Sequence, residues 1–321
     1  MTSVIEPFVR SILLVVVLFS AVAYLGRLHK YFELTSHFRV QYLLAASFGL
    51  LIFLLRAEWR WATAALLAAG MNFSALAPLW AGIHSPAAPA SAGNRLKLAV
   101  VNVDYSNRKH HLLAAWLEEC QPDVVIAQEV DGAWASALLG LSRQYPFSEV
   151  QLRENGSGIA LYSRFAFDRL PIELPEGDER PGILARLHVN GVSVSLFSVH
   201  PRAPIRRGHF GRRNEILSAA ASQIRHLPDP KIFAGDLNTS SFSPVYRDFV
   251  ERTQLSDVRS RFGLLPTWPA WIGLSWFMIP IDHCLVTRNI PVIGLRTGPR
   301  IGSDHLPLLV ELEIAQAARL P

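Results

Sequence analysis

Hydrophobic and polar positions follow two different patterns along this chain. Residues 11–26, 40–55 and 61–83 carry no Asp, Glu, Lys or Arg. A helix needs about 17–25 mostly apolar residues to cross a bilayer, so the third run is long enough by itself. The first two become long enough when the flanking Arg10, Arg27, Arg39 and Arg56 extend their charged heads to the interface. Buried helices of a soluble protein fit poorly, because the three runs follow one another with little polar sequence between them. A signal peptide would suit Ala21-Val22-Ala23, but Glu6 cancels Arg10 in the leading segment. The expectation is a membrane anchor over residues 1–83 with three transmembrane helices. The small, Pro-rich and uncharged stretch 84–94 then reads as a linker.

From residue 95 to 321 the pattern becomes that of a globular α/β domain. Leu96–Val103, Val124–Gln128, Ile159–Ser163, Ile183–Val189, Val192–Val199, Lys231–Asp236, Ile281–Val286 and Leu306–Glu313 are short apolar runs that read as strands. Asn190-Gly191 between two of them suits a type I′ hairpin turn. Leu112, Leu113, Trp116 and Leu117 recur at helical spacing before Pro122. A second helix is expected through Arg212–Arg225. Ser243-Pro244 reads as the cap and first residue of a third, running through Glu251.

Charge narrows the function classes. The net charge is +5, yet residues 1–90 already hold Arg10, Arg27, Lys30, Arg39, Arg56 and Arg60 against Glu6, Glu33 and Glu58. The remainder is close to balance, which is weak support for broad nucleic-acid binding. The only two cysteines, Cys120 and Cys284, lack zinc-type spacing and read as small buried apolar residues. Arg56-Ala-Glu-Trp-Arg60 is a short basic loop. The positive-inside tendency places it in the cytoplasm and the globular domain outside, on the extracytoplasmic face of the inner (cell) membrane. The first loop, with Arg27, Lys30 and Arg39, argues the other way.

The organising stretch is Phe233-Ala-Gly-Asp-Leu-Asn238, an apolar run ending in a carboxylate and an amide two residues apart. A strand would turn both side chains to one side. Other runs end in Asn102 and Asp104, Glu129, His200 and Asp282, and Asp304-His305 precedes the last one. Polar groups from many strand ends converging on one rim are how layered sheets build a site. Carboxylates and amides without thiols suit Mg2+ or Mn2+, and histidines beside carboxylates suit proton transfer. No Walker loop, Gly-x-Ser-x-Gly elbow or His-Glu-x-x-His helix occurs.

In this respect residues 95–313 resemble the endonuclease/exonuclease/phosphatase family of metal-dependent phosphoesterases. The matching motifs are Asn102-Val-Asp104, Gln128-Glu129, Ser157–Ser163, His200, Gly235–Asn238, Asp257, Thr267-Trp268, Asp282 and Ser303–His305, in the family's order. The resemblance implies a four-layered α/β sandwich, DNase I-like. It implies Glu129 as chief metal ligand, supported by Asn102 and Asp304, with Asp104 nearby. Asp236 would orient or deprotonate the attacking water and Asn238 would hold a phosphoryl oxygen. His305, paired with Asp282, would act as base or transition-state stabiliser, and His200 as phosphate ligand or general acid. Asp257, Thr267, Trp268, His283 and Tyr162 read as structural. The layout is also similar to bacterial membrane-bound members that act on phosphorylated or pyrophosphorylated lipids.

Two further features bear on substrate. Arg202, Arg206, Arg207, Arg212 and Arg213 cluster without an acid, and fit either phosphate capture or a solvated basic loop. Arg206, Arg207 and Arg213 are the candidate phosphate ligands. Trp268, Trp271 and Trp276 lie in an apolar loop, which fits contact with lipid or a cover over the sheet. Trp271 and Trp276 are the candidate lipid contacts. The expectation is a membrane-anchored phosphoesterase for a phosphorylated or pyrophosphorylated lipid. A nuclease of the same family and an inactive binding module are the alternatives.

Overall fold

The computed structural model describes residues 2–79, 94–153, 156–175 and 180–314. The expected linker therefore lies outside the described residues, except for Asn94. The chain opens with α1 (Thr2–Val22), α2 (Lys30–Ser36), α3 (Arg39–Leu55) and α4 (Trp59–Leu76). Glu6–Leu25 and Trp59–Leu79 are long and apolar enough to cross a membrane. The bent pair α2 and α3, at 62° to each other, makes a third span if counted as one broken helix. Small residues let the helices approach: Ala62 and Ala65 of α4 pack with Leu13 and Phe53.

The remainder forms two six-stranded sheets. In the first, β1 (Asn94–Asn102), β2 (Val124–Val130), β3 (Phe147–Gln151) and β4 (Gly158–Ser163) join the distant β11 (Val292–Thr297) and β12 (Leu308–Ile314), in the order β11-β12-β1-β2-β4-β3. In the second, β5 (Phe167–Arg169), β6 (Gly182–Val189), β7 (Val192–Val199), β8 (Lys231–Asp236), β9 (Ser256–Asp257) and β10 (Asp282–Val286) run β5-β6-β7-β8-β10-β9. Leu98, Val100 and Ile126 of one sheet meet Leu196, Ile232 and Ala234 of the other in one hydrophobic core. The strands alternate, so their other faces need cover. Helices α5 (His110–Cys120) and α6 (Gly132–Leu138) cover the first sheet through Leu113, Trp116 and Trp134. Helices α7 (His209–His226) and α8 (Pro244–Thr253) cover the second through Ile216, Ala220 and Phe249. The result is the expected helix–sheet–sheet–helix stack.

Local signals act as their chemistry requires. Asn190 and Gly191 take φ of 47° and 88°, both positive as a type I′ turn demands. Ser243 caps α8, accepting the Val245 N–H at 3.1 Å, with Pro244 in the first turn. Cys120 and Cys284 are free and buried.

The helical segment is seated on the α/β unit. Arg27 makes two hydrogen bonds of 2.6 Å to Asp248, and Lys30 Nζ donates to Ile205 O at 2.7 Å. Phe242 inserts among Leu76 and Leu79. Burying such a ring contributes about 1.5–3 kcal/mol. At the opposite end of the bundle, Arg10 and Arg56 pair with Glu58 and Glu6.

Candidate active site

Strand direction brings the polar residues to one rim. Parallel β1 and β2 deliver Asn102 and Glu129 side by side, in a register pairing Asn102 with Gln128. Parallel β7 and β8 deliver His200 and Asp236, and antiparallel β10 begins at Asp282, opposite Asp236. Asp104, Glu129 and Asn238 have φ of 54°, 62° and 50°. At Glu129 the β2–β4 register also shifts, which is a bulge that re-aims the side chain. Strained backbone of this kind collects at functional sites.

The side chains form one connected network. Asn102 Nδ2 donates to Glu129 Oε1 at 3.2 Å and Asp236 Oδ2 at 3.1 Å. Its Oδ1 accepts the Asp104 N–H at 3.1 Å. His200 sits behind Glu129, with Nε2 3.3 Å from Oε1 and Nδ1 3.1 Å from Asp236 O. His305 Nδ1 lies 2.8 Å from Asp282 Oδ2, and its Nε2 lies 3.7 Å from Asp236 Oδ2. Ser303 Oγ donates to Asn102 O at 2.7 Å and accepts the His305 N–H at 3.0 Å. Asp304 is held by Trp268 Nε1 at 2.9 Å. Asn238 Nδ2 donates to Pro201 O at 3.0 Å and its N–H to Asp236 Oδ1 at 2.8 Å.

Charges follow from this geometry. Burial works against ionised Glu129, but the hydrogen bond and charge of His200, with the Asn102 amide, bring its carboxyl down to about 2. Burial also disfavours a charged His305, yet Asp282 and Asp236 push it up to about 10. Desolvation raises Asp236, because it is buried beside Asp282, despite both histidines. Asp282, opposed by burial, is held below its ordinary value by His305.

The donors fit a hard divalent cation. They are carboxylate, amide and imidazole without thiol, and Asp236, Asp282 and His305 offer ligand atoms all within 4.8 Å of one another. Asp282 Oδ1 is buried with no hydrogen-bond partner. Asp282 Oδ2 is already engaged with His305. Glu129 and Asp304 are the less buried acids that face the cleft.

A cleft of about 360 Å3 opens over the network. Glu129, Asp236, Asn238, Asp304 and His305 line it; Asn102, His200 and Asp282 lie behind. Its walls are Leu34, His37 and Phe38 from the helical segment, Arg180, Ala203–Ile205, Trp268, Ile279 and Ile281. Several of these were not legible in the sequence. Arg180 follows a stretch rich in charge, and nothing sets it apart from its neighbours. Leu34 and Phe38 fall in what reads as a connecting loop. The one available signal is Glu33, the only acid between Pro7 and Ala57.

The arginine expectation needs correction. Arg213 does not reach the cleft: it is wholly buried on α7 and paired with Glu33 at 2.5 Å. A guanidinium already committed to a carboxylate and to Asn238 O is not available to phosphate. Arg206 and Arg207 are exposed and outside the cleft lining. Trp271 and Trp276 are also outside it, 70% and 62% exposed, and Trp268 takes the place beside the acids. Among the residues read as structural, Tyr162 is core and Asp257 accepts from Tyr246 and from the Arg259 N–H. His283 is buried, kept neutral by that burial with a value near 4, and reaches Thr239 O.

A family model described as Endonuclease/Exonuclease/phosphatase family matches residues 99–305. The chain belongs to that family. Its members are generally divalent-metal-dependent phosphoester hydrolases. No curated protein matches by sequence. Solved structures share the fold at low identity. An endonuclease/exonuclease/phosphatase from Beutenbergia cavernae is 20% identical, with TM-score 0.58 over 69% of this chain and 72% of its own. A humanized D. rerio TDP2 is 18% identical, with TM-score 0.56 over 68% and 99%. The human Nocturnin catalytic domain, solved with a sulfate anion, is 17% identical, with TM-score 0.54 over 68% and 93%.

Proposed function

We propose that this family member is a membrane-anchored phosphoesterase that hydrolyses a phosphate or pyrophosphate of a membrane lipid, with its site at the extracytoplasmic surface. The observation that carries this reading is the composition of the cleft. Its floor is Glu129, Asp236, Asn238, Asp304 and His305, and its walls include Leu34 of α2 and Phe38 of the turn before α3, in the apolar segment that would anchor the chain in the bilayer. A charged floor beneath an apolar wall suits a molecule with a phosphate head and a hydrocarbon body.

Mg2+ or Mn2+, held by Glu129 and Asp304 with Asn102 beside them, would supply charge neutralisation at the phosphoryl group. Asp236 would orient a water and accept its proton. Asn238 would donate to a phosphoryl oxygen. Asp282 fixes the His305 ring so that Nε2 faces Asp236. His200 keeps Glu129 ionised and aimed.

The test is phosphate release by the purified full chain with Mg2+ from a polyprenyl pyrophosphate and a lipid monophosphate, beside cleavage of single-stranded DNA. Turnover of a lipid supports the reading. Cleavage of DNA alone replaces it with a nuclease, and no turnover with any divalent metal leaves a binding module.

A further inference from the structure

We infer that Glu33, on the short helix between the first two long apolar helices, is a positioning residue for Asn238, so that the helical segment completes the catalytic site. This rests on the phosphoesterase reading above.

A carboxylate buried in an apolar segment persists only if its oxygens are filled. Both oxygens of Glu33 are filled by groups around the active-site loop. Oε1 accepts from Thr239 Oγ1 at 2.8 Å and Ser243 Oγ at 2.7 Å, and Oε2 accepts from Arg213 Nη2 at 2.5 Å. Arg213 Nη1 then donates to Asn238 O at 2.9 Å. Glu33, Arg213, Thr239 and Ser243 are all wholly buried. Two more contacts clamp the same loop: His37 Nδ1 to Ser240 Oγ at 2.8 Å, and His283 Nε2 to Thr239 O at 2.8 Å.

Asn238 needs such a clamp. It is a non-glycine residue at φ 50°, at the point where β8 gives way to the loop. Its amide lies in the cleft floor, where a small displacement of a donor is costly. Phe242, at the far end of the same loop, packs on Leu76 and Leu79, whereas the Arg27–Asp248 and Lys30–Ile205 contacts lie away from the loop. Arg27–Asp248 is an exposed pair, of a kind that contributes little. The network around Glu33 therefore does more than attach one part of the chain to the other.

The test uses the full chain in detergent, with bis(p-nitrophenyl) phosphate and Mn2+ as probe. Glu33→Gln is expected to lower kcat by about tenfold to a hundredfold with KM little changed, as for a displaced transition-state donor. In an Asn238→Ala background the same substitution is expected to change kcat by less than about twofold, because residues acting as one unit are non-additive. Arg27→Ala, which breaks docking away from the loop, is expected to keep wild-type kcat. If Glu33→Gln folds poorly, Thr239→Val removes a single donor to Glu33 and is expected to give about a fivefold loss with the same non-additivity. Losses that multiply with Asn238→Ala, or an equal loss in Arg27→Ala, overturn the inference. Wild-type turnover with unchanged kcat in Glu33→Gln sinks this inference alone. No wild-type turnover sinks the phosphoesterase reading and this inference with it.

Discussion

Gln128 ties Asp236 across the seam between the sheets: its Oε1 accepts the Asp236 N–H at 2.6 Å while its Nε2 donates to Val199 O at 3.0 Å. The residue that precedes Glu129 on β2 thus holds the carboxyl ends of β7 and β8. Gly235 makes room for it. A Cβ there would lie 2.4 Å from Gln128 Nε2 and 2.7 Å from Val199 O, and its φ of 153° is one that side chains rarely adopt.

Replacing Gln128 by leucine keeps the volume but leaves two buried backbone groups unpaired. Each such group costs about 1–3 kcal/mol, so the variant should lose roughly 2–6 kcal/mol of stability. Urea unfolding of purified protein would measure it. A loss within about 0.5 kcal/mol, the usual scatter for surface changes, would show that the seam is held by packing alone.

Much of the catalytic rim was legible because strand ends carry their chemistry in register. Asp236 at the end of β8, Asn238 in the loop just beyond it, and Asp304 and His305 ahead of β12 meet at the cleft, as the order of apolar runs implies. Arg213 was not legible. A sequence shows that an arginine is charged, whereas its partner Glu33 lies 180 positions away and becomes a neighbour only through packing. The left-handed backbone at Asp104, Glu129 and Asn238 was hidden too, since none of them is glycine. The apolar wall formed by Leu34 and Phe38 required knowing that the helices dock on the cleft rather than stand apart from it.

Glu129 faces the cleft, and the hydrogen bond and charge of His200 bring its carboxyl down to about 2 against the cost of burial. Glu129→Gln should abolish turnover while circular dichroism stays unchanged, and should weaken Mn2+ binding by at least about tenfold in calorimetry. Full activity of the wild type in excess EDTA would refute metal dependence.

Asp236 and His305 stand 3.7 Å apart, with Asp282 behind the imidazole. If they serve one proton-transfer step, each alanine variant should lose about 100-fold or more in kcat. The double variant should be little worse than the worse single one. Single-turnover kinetics on a soluble phosphoester would decide. Losses that multiply would assign the two residues to separate steps.

The bundle has two chemically different ends. Glu6, Arg10, Arg56 and Glu58 gather at one, and Arg27 and Lys30 meet the catalytic unit at the other. With the short Arg56–Arg60 loop inside, a phosphatase-type reporter fused after Pro321 should be active. A fluorescent reporter that matures only in the cytoplasm should stay dark there. The reverse pattern would invert the orientation and leave the chemistry as it is.

The tryptophan loop gives the sharpest test of a lipid substrate. Trp271, Leu274, Trp276 and Phe277 are all more than half exposed, an apolar patch that water would disfavour. Gln41 Nε2 donates to the backbone of Trp276 at 2.6 Å, which fixes the loop beside the start of α3. Trp268 and Ile279, at the base of the same loop, line the cleft. The exposed rings would therefore rest in the interface of the bilayer, where tryptophan is favoured, and set the height of the cleft above it. Because Trp271 and Trp276 do not line the cleft, replacing both by serine should leave hydrolysis of a small soluble phosphoester within about twofold of wild type. The same variant should lose about tenfold or more on a lipid phosphate embedded in vesicles, since remote binding no longer presents the reacting centre. Equal losses on both substrates would mean that the loop supports Trp268 rather than meeting a membrane.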